Sequence, residues 1–259
     1  MKILFIGDVV GKPGRKAVAD VVPRMRREQG VEFVVANGEN VAHGSGVNGS
    51  TLKELFASGV DIVTTGDHIW DQKDSYDVIA SEARLLRPLN YPASSPGRGS
   101  TVVNVDDRFR VAVVNLVGRT FINGGDCPFR AAQNEIGKLR KQTNIILVDF
   151  HAEATSEKVA LGWFLDGQVS AVIGTHTHVA TADERVLPKG TAYLTDAGMT
   201  GPHDSVLGRD KEAVIRRFVT LMPQKLEVAE RDIVLNGALI DVDENTGHAR
   251  RIERVRVSC

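Results

Sequence analysis

Thiols are scarce in this chain. Its 259 residues include two cysteines, Cys127 and Cys259, and no Cys-x-x-Cys pair, which argues against a disulfide framework. Long apolar runs are missing too: none approaches the roughly 20 residues that a membrane-spanning helix needs. The opening stretch MKILFIGDVVGK has a charge and a short apolar run, but Gly7 and Asp8 break it before it reaches the length of a signal-peptide core. It reads as a buried first strand. No charge of one sign predominates. With 32 basic and 33 acidic residues and a net charge of −1, the chain lacks the basic footprint of an unaided nucleic-acid binder. Direct RNA binding is not expected, nor is a membrane partner, and the simplest location is the cytoplasm. A small anionic substrate would have to be held by local groups. Internal repeats, low-complexity tracts and linkers are also absent, so one domain over residues 1–259 is expected.

What is present is a recurring unit. KILFIGD, VEFVVANGEN, VDIVTTGDH, FRVAVVNL, NIILVDFHAE, VSAVIGTHTH and TAYLTDAG are each a short apolar or β-branched run ending in polar or small residues. Helical patterns separate several of them, at Arg15 to Gln29, Ser50 to Ser58 and Pro128 to Lys141. Strands that are apolar throughout and alternate with helices predict an α/β fold with a buried, largely parallel sheet. Late in the chain, LEVAERDIVLNGALIDVDENTGHARRIERVRV reads as antiparallel strands turning at ENTGH. That change of pattern predicts a second sheet packed against the first. ASSPGRGS, from Ala93 to Ser100, is a loop by its Pro, Gly and Ser content.

The residues just past the runs form a set. The first strand delivers Asp8, the second Glu39 and Asn40, the third Asp67 and His68, a later one His151, and the next His176 and His178. Ligands of open α/β sheets bind outside the carboxyl ends of strands, and here five strand ends each offer a potential metal donor. In GTHTH the two histidines would share a side if the chain stays extended. Three carboxylates and three histidines suit two divalent metals about 3.5–4 Å apart, which would clamp a phosphoryl group and bring a shared water's pKa toward ~7. A structural zinc fits less well, since no cysteine lies near these positions.

In order and spacing, these residues resemble the calcineurin-like metallophosphoesterases, and more closely a bacterial branch, the YmdB family of phosphodiesterases. The segments that carry the resemblance are FIGDVVGKPGR, NGENVAHGSG, RPLNYP, DFHAEATSEK, GTHTHVATAD, LPKGTAY and TDAGMTGPHDSVLG. They reach from the first strand to about residue 208 and are specific. The resemblance implies a four-layer α/β/β/α sandwich with two mixed sheets, and hydrolysis of small cyclic nucleotides such as 2′,3′-cyclic AMP at a dinuclear centre. It also implies the ligand set: Glu39 bridging, with Asp8, Asn40 and His178 on one metal and Asp67, His151 and His176 on the other. His68 would be the general acid; a residue that only orients a carboxylate is the alternative. Val10 stands where the wider superfamily has a ligating histidine, and in the branch Asn40 supplies that contact. Exchanging imidazole for a hard amide oxygen favours iron or manganese, in divalent or mixed-valence pairs, with zinc or magnesium as further options. A homo-oligomer is expected.

Asp67 departs from the family, which has asparagine there. Aspartate keeps a ligand oxygen but loses the amide donors, and it adds a negative charge opposing a phosphate. Lowered activity is the expected effect, and three explanations stay open: a natural, tolerated residue with a changed substrate or metal preference, an engineered change, or no effect because the carboxyl is protonated or hydrogen-bonded. Two other activities fit the same donors: a phosphomonoesterase or 5′-nucleotidase, which would want Arg or Lys in the pocket, and a regulatory or RNA-associated ligand sensor. Arg119, Lys158 and Arg209 are the candidate cations. Glu153 and Glu157 are candidate partners for the histidines or helix-start carboxylates. His43 and His248 read as solvated, His203 and Asp204 as pocket or interface residues, and Trp70 and Trp163 as packing.

Overall fold

The computed structural model describes residues 1–105, 108–123 and 125–259. The chain begins β1 (Lys2–Ile6), β2 (Asp8–Val9), α1 (Gly11–Gln29), β3 (Phe33–Asn37), α2 (Gly49–Ala57), β4 (Ile62–Thr64) and α3 (Ser75–Ser81). It continues with β5 (Ser100–Val105), β6 (Phe109–Val117), α4 (Pro128–Leu139), β7 (Ile145–His151), α5 (Thr155–Leu165), β8 (Ala171–Thr175), β9 (Arg185–Val186) and β10 (Ala192–Leu194). It ends β11 (Met199–Pro202), α6 (Lys211–Thr220), β12 (Ile233–Val242) and β13 (Ala249–Ser258). Among the described residues, no helix is long and apolar enough to cross a membrane.

Two mixed sheets result. One has seven strands, ordered β2-β11-β12-β1-β3-β4 with β13 beside β12; the other has six, ordered β5-β6-β7-β8-β10-β9. Each has parallel pairs, β1-β3-β4 and β6-β7-β8-β10, and antiparallel partners outside them. The period-two alternation of strands divides the core into layers. Ile3, Phe5, Phe33 and Val35 meet Val111, Val113, Leu147 and Ile173 between the sheets. Their neighbours Leu4, Ile6, Val34 and Ala36 pack outward on Val18, Val21 and Val22 of α1. On the other side Val114, Val148 and Phe150 pack on Ile136 of α4 and Leu161 of α5. Because every central strand is covered on both faces, its sequence is apolar throughout. The layers are α/β/β/α.

Two expectations are corrected. The late hairpin of β12 and β13 does not start the second sheet: β12 pairs antiparallel with β1, from Lys2 opposite Asp241 to Ile6 opposite Gly237. β12 is apolar enough to lie inside a sheet, with Leu235 facing the helices and Ala238, Ile240 and Val242 facing the other sheet. The second sheet comes from the middle of the chain. Helix α1 starts at Gly11, not Arg15. The Gly and Pro of GKPGR read as breakers, but Pro13 lies in the first turn, where an intrahelical donor is not needed. The helix ends where Gly30 takes a left-handed conformation, φ 69°, with its N–H on Met25 O.

Candidate metal centre

The carboxyl ends of β1, β3 and β4 meet those of β7 and β8. The first sheet supplies Asp8, Glu39, Asn40 and Asp67; the second supplies His151, His176 and His178. Glu39 Oε1 lies 3.1 Å from His151 Nε2, and Asp67 Oδ1 lies 3.3 Å from it and 3.5 Å from His176 Nδ1. The ligand atoms of Glu39, Asp67, His151 and His176 all fall within 4.8 Å of one another. On the other side, Asn40 Nδ2 is 3.1 Å from Glu39 Oε1 and 3.2 Å from His178 Nε2, and Asp8 Oδ1 is 4.0 Å from His178 Nε2. All seven candidate donors are thus gathered, in two groups that share Glu39. The approach is tight enough to require Gly66: a Cβ there would stand 2.2 Å from His151 Nε2 and 2.3 Å from Glu39 Oε2.

Each imidazole has one nitrogen fixed from outside. His151 Nδ1 is 2.9 Å from Thr175 Oγ1, and that hydroxyl donates to Asp149 Oδ1 at 2.7 Å. With its only proton committed there, Thr175 must accept from His151 Nδ1–H, so Nε2 is the nitrogen that points inward. Asp149 also receives Thr64 Oγ1 at 2.5 Å and Asn37 Nδ2 at 3.0 Å, and Asn37 Oδ1 accepts the Glu39 N–H at 3.2 Å. His176 Nε2 faces Glu153 Oε2 at 3.2 Å, leaving Nδ1 inward. His178 Nδ1 donates to Leu207 O at 3.1 Å, leaving Nε2 inward. Outer acceptors of this kind fix the tautomer of metal-binding histidines.

The electrostatics call for a cation. Asp8 Oδ1 and Asp67 Oδ1 are buried without a hydrogen-bond partner, and His151 Nε2 faces His176 Nδ1 at 3.0 Å. Burial pushes the Asp8 carboxyl well above its usual range. Burial works the same way on Asp67, but the close approach and charge of His151 outweigh it and hold Asp67 far below the carboxylate range. That direction disfavours the protonated form of Asp67. Burial opposes charge on His151, yet Glu39 and Asp67 raise its pKa well above the imidazole range. Burial and the neighbouring His151 lower His176 to about 4. One buried imidazolium thus holds a place among carboxylates, and a divalent ion would displace its proton.

His68 lies at the rim, 44% exposed, with Nδ1 3.0 Å from Asp71 Oδ2 and Nε2 4.0 Å from Asp67 Oδ2. Ser45 Oγ donates to the same Asp71 oxygen, linking His68 to the glycine-rich loop. His68 and Ser45 face a cleft of about 450 Å³ with Glu39, Asn40, Glu153, His176, His178 and Arg209. The remaining candidates separate. Glu153 reaches a histidine, whereas Glu157 accepts the Arg119 and Thr120 N–H groups at the start of α5. Lys158 is buried against Asp196 at 2.6 Å. Arg209 donates to the carbonyls of His43, Gly44 and Leu226. His203 is bound to Gly201 O and Asn236, and Asp204 pairs with Lys211, both away from the cleft. Trp70 stacks between Tyr76 and Tyr91, and Trp163 is half-exposed under Arg185. His43 and His248 are exposed. Asp149, Thr175, Asn37 and Asp71 were not anticipated; the readable signal was a polar residue inside an apolar strand, as in IILVDFH.

Known proteins share this architecture. The chain is 50% identical over 258 residues to the 2′,3′-cyclic-nucleotide 2′-phosphodiesterase of Bacillus subtilis (strain 168), covering 100% of this chain and 97% of that protein. A solved structure of a hypothetical protein from Thermus thermophilus superposes with a TM-score of 0.93 at 40% identity, covering 100% of this chain and 99% of that one. A structure of a novel phosphatase from Mycoplasma pneumoniae gives 0.92 at 36% identity, covering 100% and 93%. A family profile described as YmdB-like protein matches residues 4–255, and the chain belongs to that family.

Proposed function

We propose that the cleft is the active site of a dinuclear metal-dependent phosphodiesterase that hydrolyses small cyclic nucleotides of the 2′,3′-cyclic class. The observation that carries this is the set of three imidazoles whose inner nitrogens converge on buried carboxyl groups with unpartnered oxygens. The Bacillus subtilis relative, named for this substrate class, supports it over the whole length. Glu39 would serve both ions, Asp8, Asn40 and His178 one, and Asp67, His151 and His176 the other. Oxygen-rich donors of this kind suit iron or manganese. Bound there, a divalent pair supplies Lewis acidity toward a phosphoryl oxygen and lowers the pKa of a coordinated water. The protein's own part is orientation and proton delivery. The Asp71 carboxylate accepts from His68 Nδ1–H, so Nε2 faces the cleft and can protonate the departing sugar oxygen.

The cations of the cleft favour a diester over a monoester. Arg209 is its one lysine or arginine among the described lining residues, and its guanidinium is engaged with three backbone carbonyls. The extra negative charge of a monoester finds no second lysine or arginine among the described lining residues. The test is metal analysis of protein purified without chelator, together with rates on 2′,3′-cyclic nucleotides, linear diesters and monoesters. We expect about two ions per chain and the highest kcat/KM on the cyclic diesters. Preferential monoester hydrolysis would overturn the assignment.

Asp67 sets a second expectation. It makes the carboxylates three, Asp8, Glu39 and Asp67, and leaves less net positive charge to stabilise a phosphoryl transition state. Asp67→Asn should raise turnover several-fold, up to about tenfold, and tighten phosphate binding. Steady-state rates and inhibition by inorganic phosphate measure both, and equal values for the two proteins would refute the argument.

A further inference from the structure

A buried ion pair stands behind the GTHTH turn. Lys158, in the first turn of α5, is 1% exposed, and Asp196, just past β10, is fully buried. To reach it, the lysine stem passes β8 at Gly174, where a Cβ would lie 3.0 Å from Lys158 Cδ and 1.8 Å from Thr195 O. The missing side chain at Gly174 opens the passage. Lys158 Nζ donates to Asp196 Oδ2 at 2.6 Å. The same oxygen receives the Thr177 N–H at 3.2 Å and the Thr177 hydroxyl at 2.8 Å, while Oδ1 receives the Gly198 N–H at 2.8 Å. With donors on every side, Asp196 acts as an acceptor-only carboxylate.

Thr177 is the residue between His176 and His178. Both histidines have left-handed backbone, φ 97° and 64°, which a side chain with a Cβ adopts only when its surroundings impose it. This backbone also explains how neighbours two apart in sequence reach different groups of the centre: His176 turns to His151 and Asp67, His178 to Asn40 and Asp8. The extended GTHTH anticipated from sequence would have put both on one side. The main contacts that hold Thr177 between them come from Asp196.

We infer that the Lys158–Asp196 pair is a positioning device: it clamps Thr177 and so sets the angle at which His176 and His178 present their inner nitrogens. The inference rests on the reading of the site as a metal centre. A charge is needed on both members. Without the lysine, Asp196 is a buried, unpaired anion, which is strongly disfavoured. Without the aspartate, the Thr177 N–H loses its acceptor and the hydroxyl keeps only the Val179 carbonyl at 3.5 Å, and the two left-handed residues can relax to ordinary backbone.

The test uses the full chain loaded with cobalt(II), whose visible absorption reports ligand geometry, with affinity measured by competition against a chromogenic chelator. Lys158→Met should weaken cobalt binding about 10–100-fold, the range for residues that orient a metal's ligands, and should change the visible bands. Thr177→Val removes the hydroxyl donor at a half-buried position and keeps the ion pair; it should weaken binding several-fold and shift the bands in the same direction. Circular dichroism establishes that each variant is folded. Thr177→Val with the parent's affinity and spectrum overturns the inference, as does a folded Lys158→Met that matches the parent; if Lys158→Met does not fold, Thr177→Val decides. A parent protein that takes up no cobalt would instead refute the metal centre itself.

Discussion

Alanine at His68 should lower turnover about 10²–10⁴-fold, the usual contribution of a positioned general acid, and leave metal content unchanged. The geometry separates the two readouts. His68 is 44% exposed and its Nε2 is 4.0 Å from Asp67 Oδ2, outside the group whose ligand atoms fall within 4.8 Å of one another. Its hydrogen bond to Glu39 comes from the backbone N–H, at 3.4 Å, which alanine retains. What alanine removes is the ring held by Asp71. A leaving sugar oxygen then departs as a poorly stabilised alkoxide, so substrates with more acidic leaving groups should lose much less. Elemental analysis beside the rates checks this, and loss of metal together with activity would show that His68 supports the centre instead of supplying a proton.

Glutamine at Glu39 should have the opposite signature: activity falls to background because metal is lost. Glu39 is 1% exposed and stands between the two donor groups, 3.1 Å from His151 Nε2 on one side and 3.1 Å from the Asn40 amide on the other. Burial raises its carboxyl pKa, but the charge and hydrogen bond of His151 prevail and lower it, so an anion is what the site holds. A neutral amide of the same size leaves the packing intact and removes that anion, and metal affinity should fall by more than the roughly 10–100-fold typical of an outer hydrogen-bond partner. Metal-to-protein ratio after dialysis, with a thermal melt to establish folding, reads the result. Full loading of Glu39→Gln would remove Glu39 from the shared position.

The gathering of the candidate donors was legible in sequence because buried parallel strands leave one clear signature, an apolar run that ends in a charged or polar residue, and the carboxyl ends of such strands gather in space. That sufficed for Asp8, Glu39, Asp67, His151 and the GTHTH pair. The backbone of the pair was not legible: alternation assumes extended chain, and the left-handed turns at His176 and His178 come from Asp196, which is distant in sequence. The hairpin of β12 and β13 was recognised but misplaced, since the pattern of a strand says which faces are covered, not which neighbour it pairs with. Asp149 was passed over because a lone acid in an apolar run looks like an exception to the strand, whereas its partners Thr64, Thr175 and Asn37 come from three different strands. Sequence likewise leaves the roles of the cations open, because their partners are distant along the chain: Arg209 lies on carbonyls and Lys158 on Asp196.

The origin of the donors has a mechanical consequence. Every oxygen and amide donor comes from the sheet of β1, β3 and β4, and every imidazole from that of β7 and β8. A small slide of one sheet over the other would leave distances within each set unchanged and alter every oxygen-to-nitrogen separation at once. The packing of Ile3, Phe5, Phe33 and Val35 against Val111, Val113, Leu147 and Ile173 is thus what calibrates the centre, and side chains with no chemistry of their own set the bite of the site.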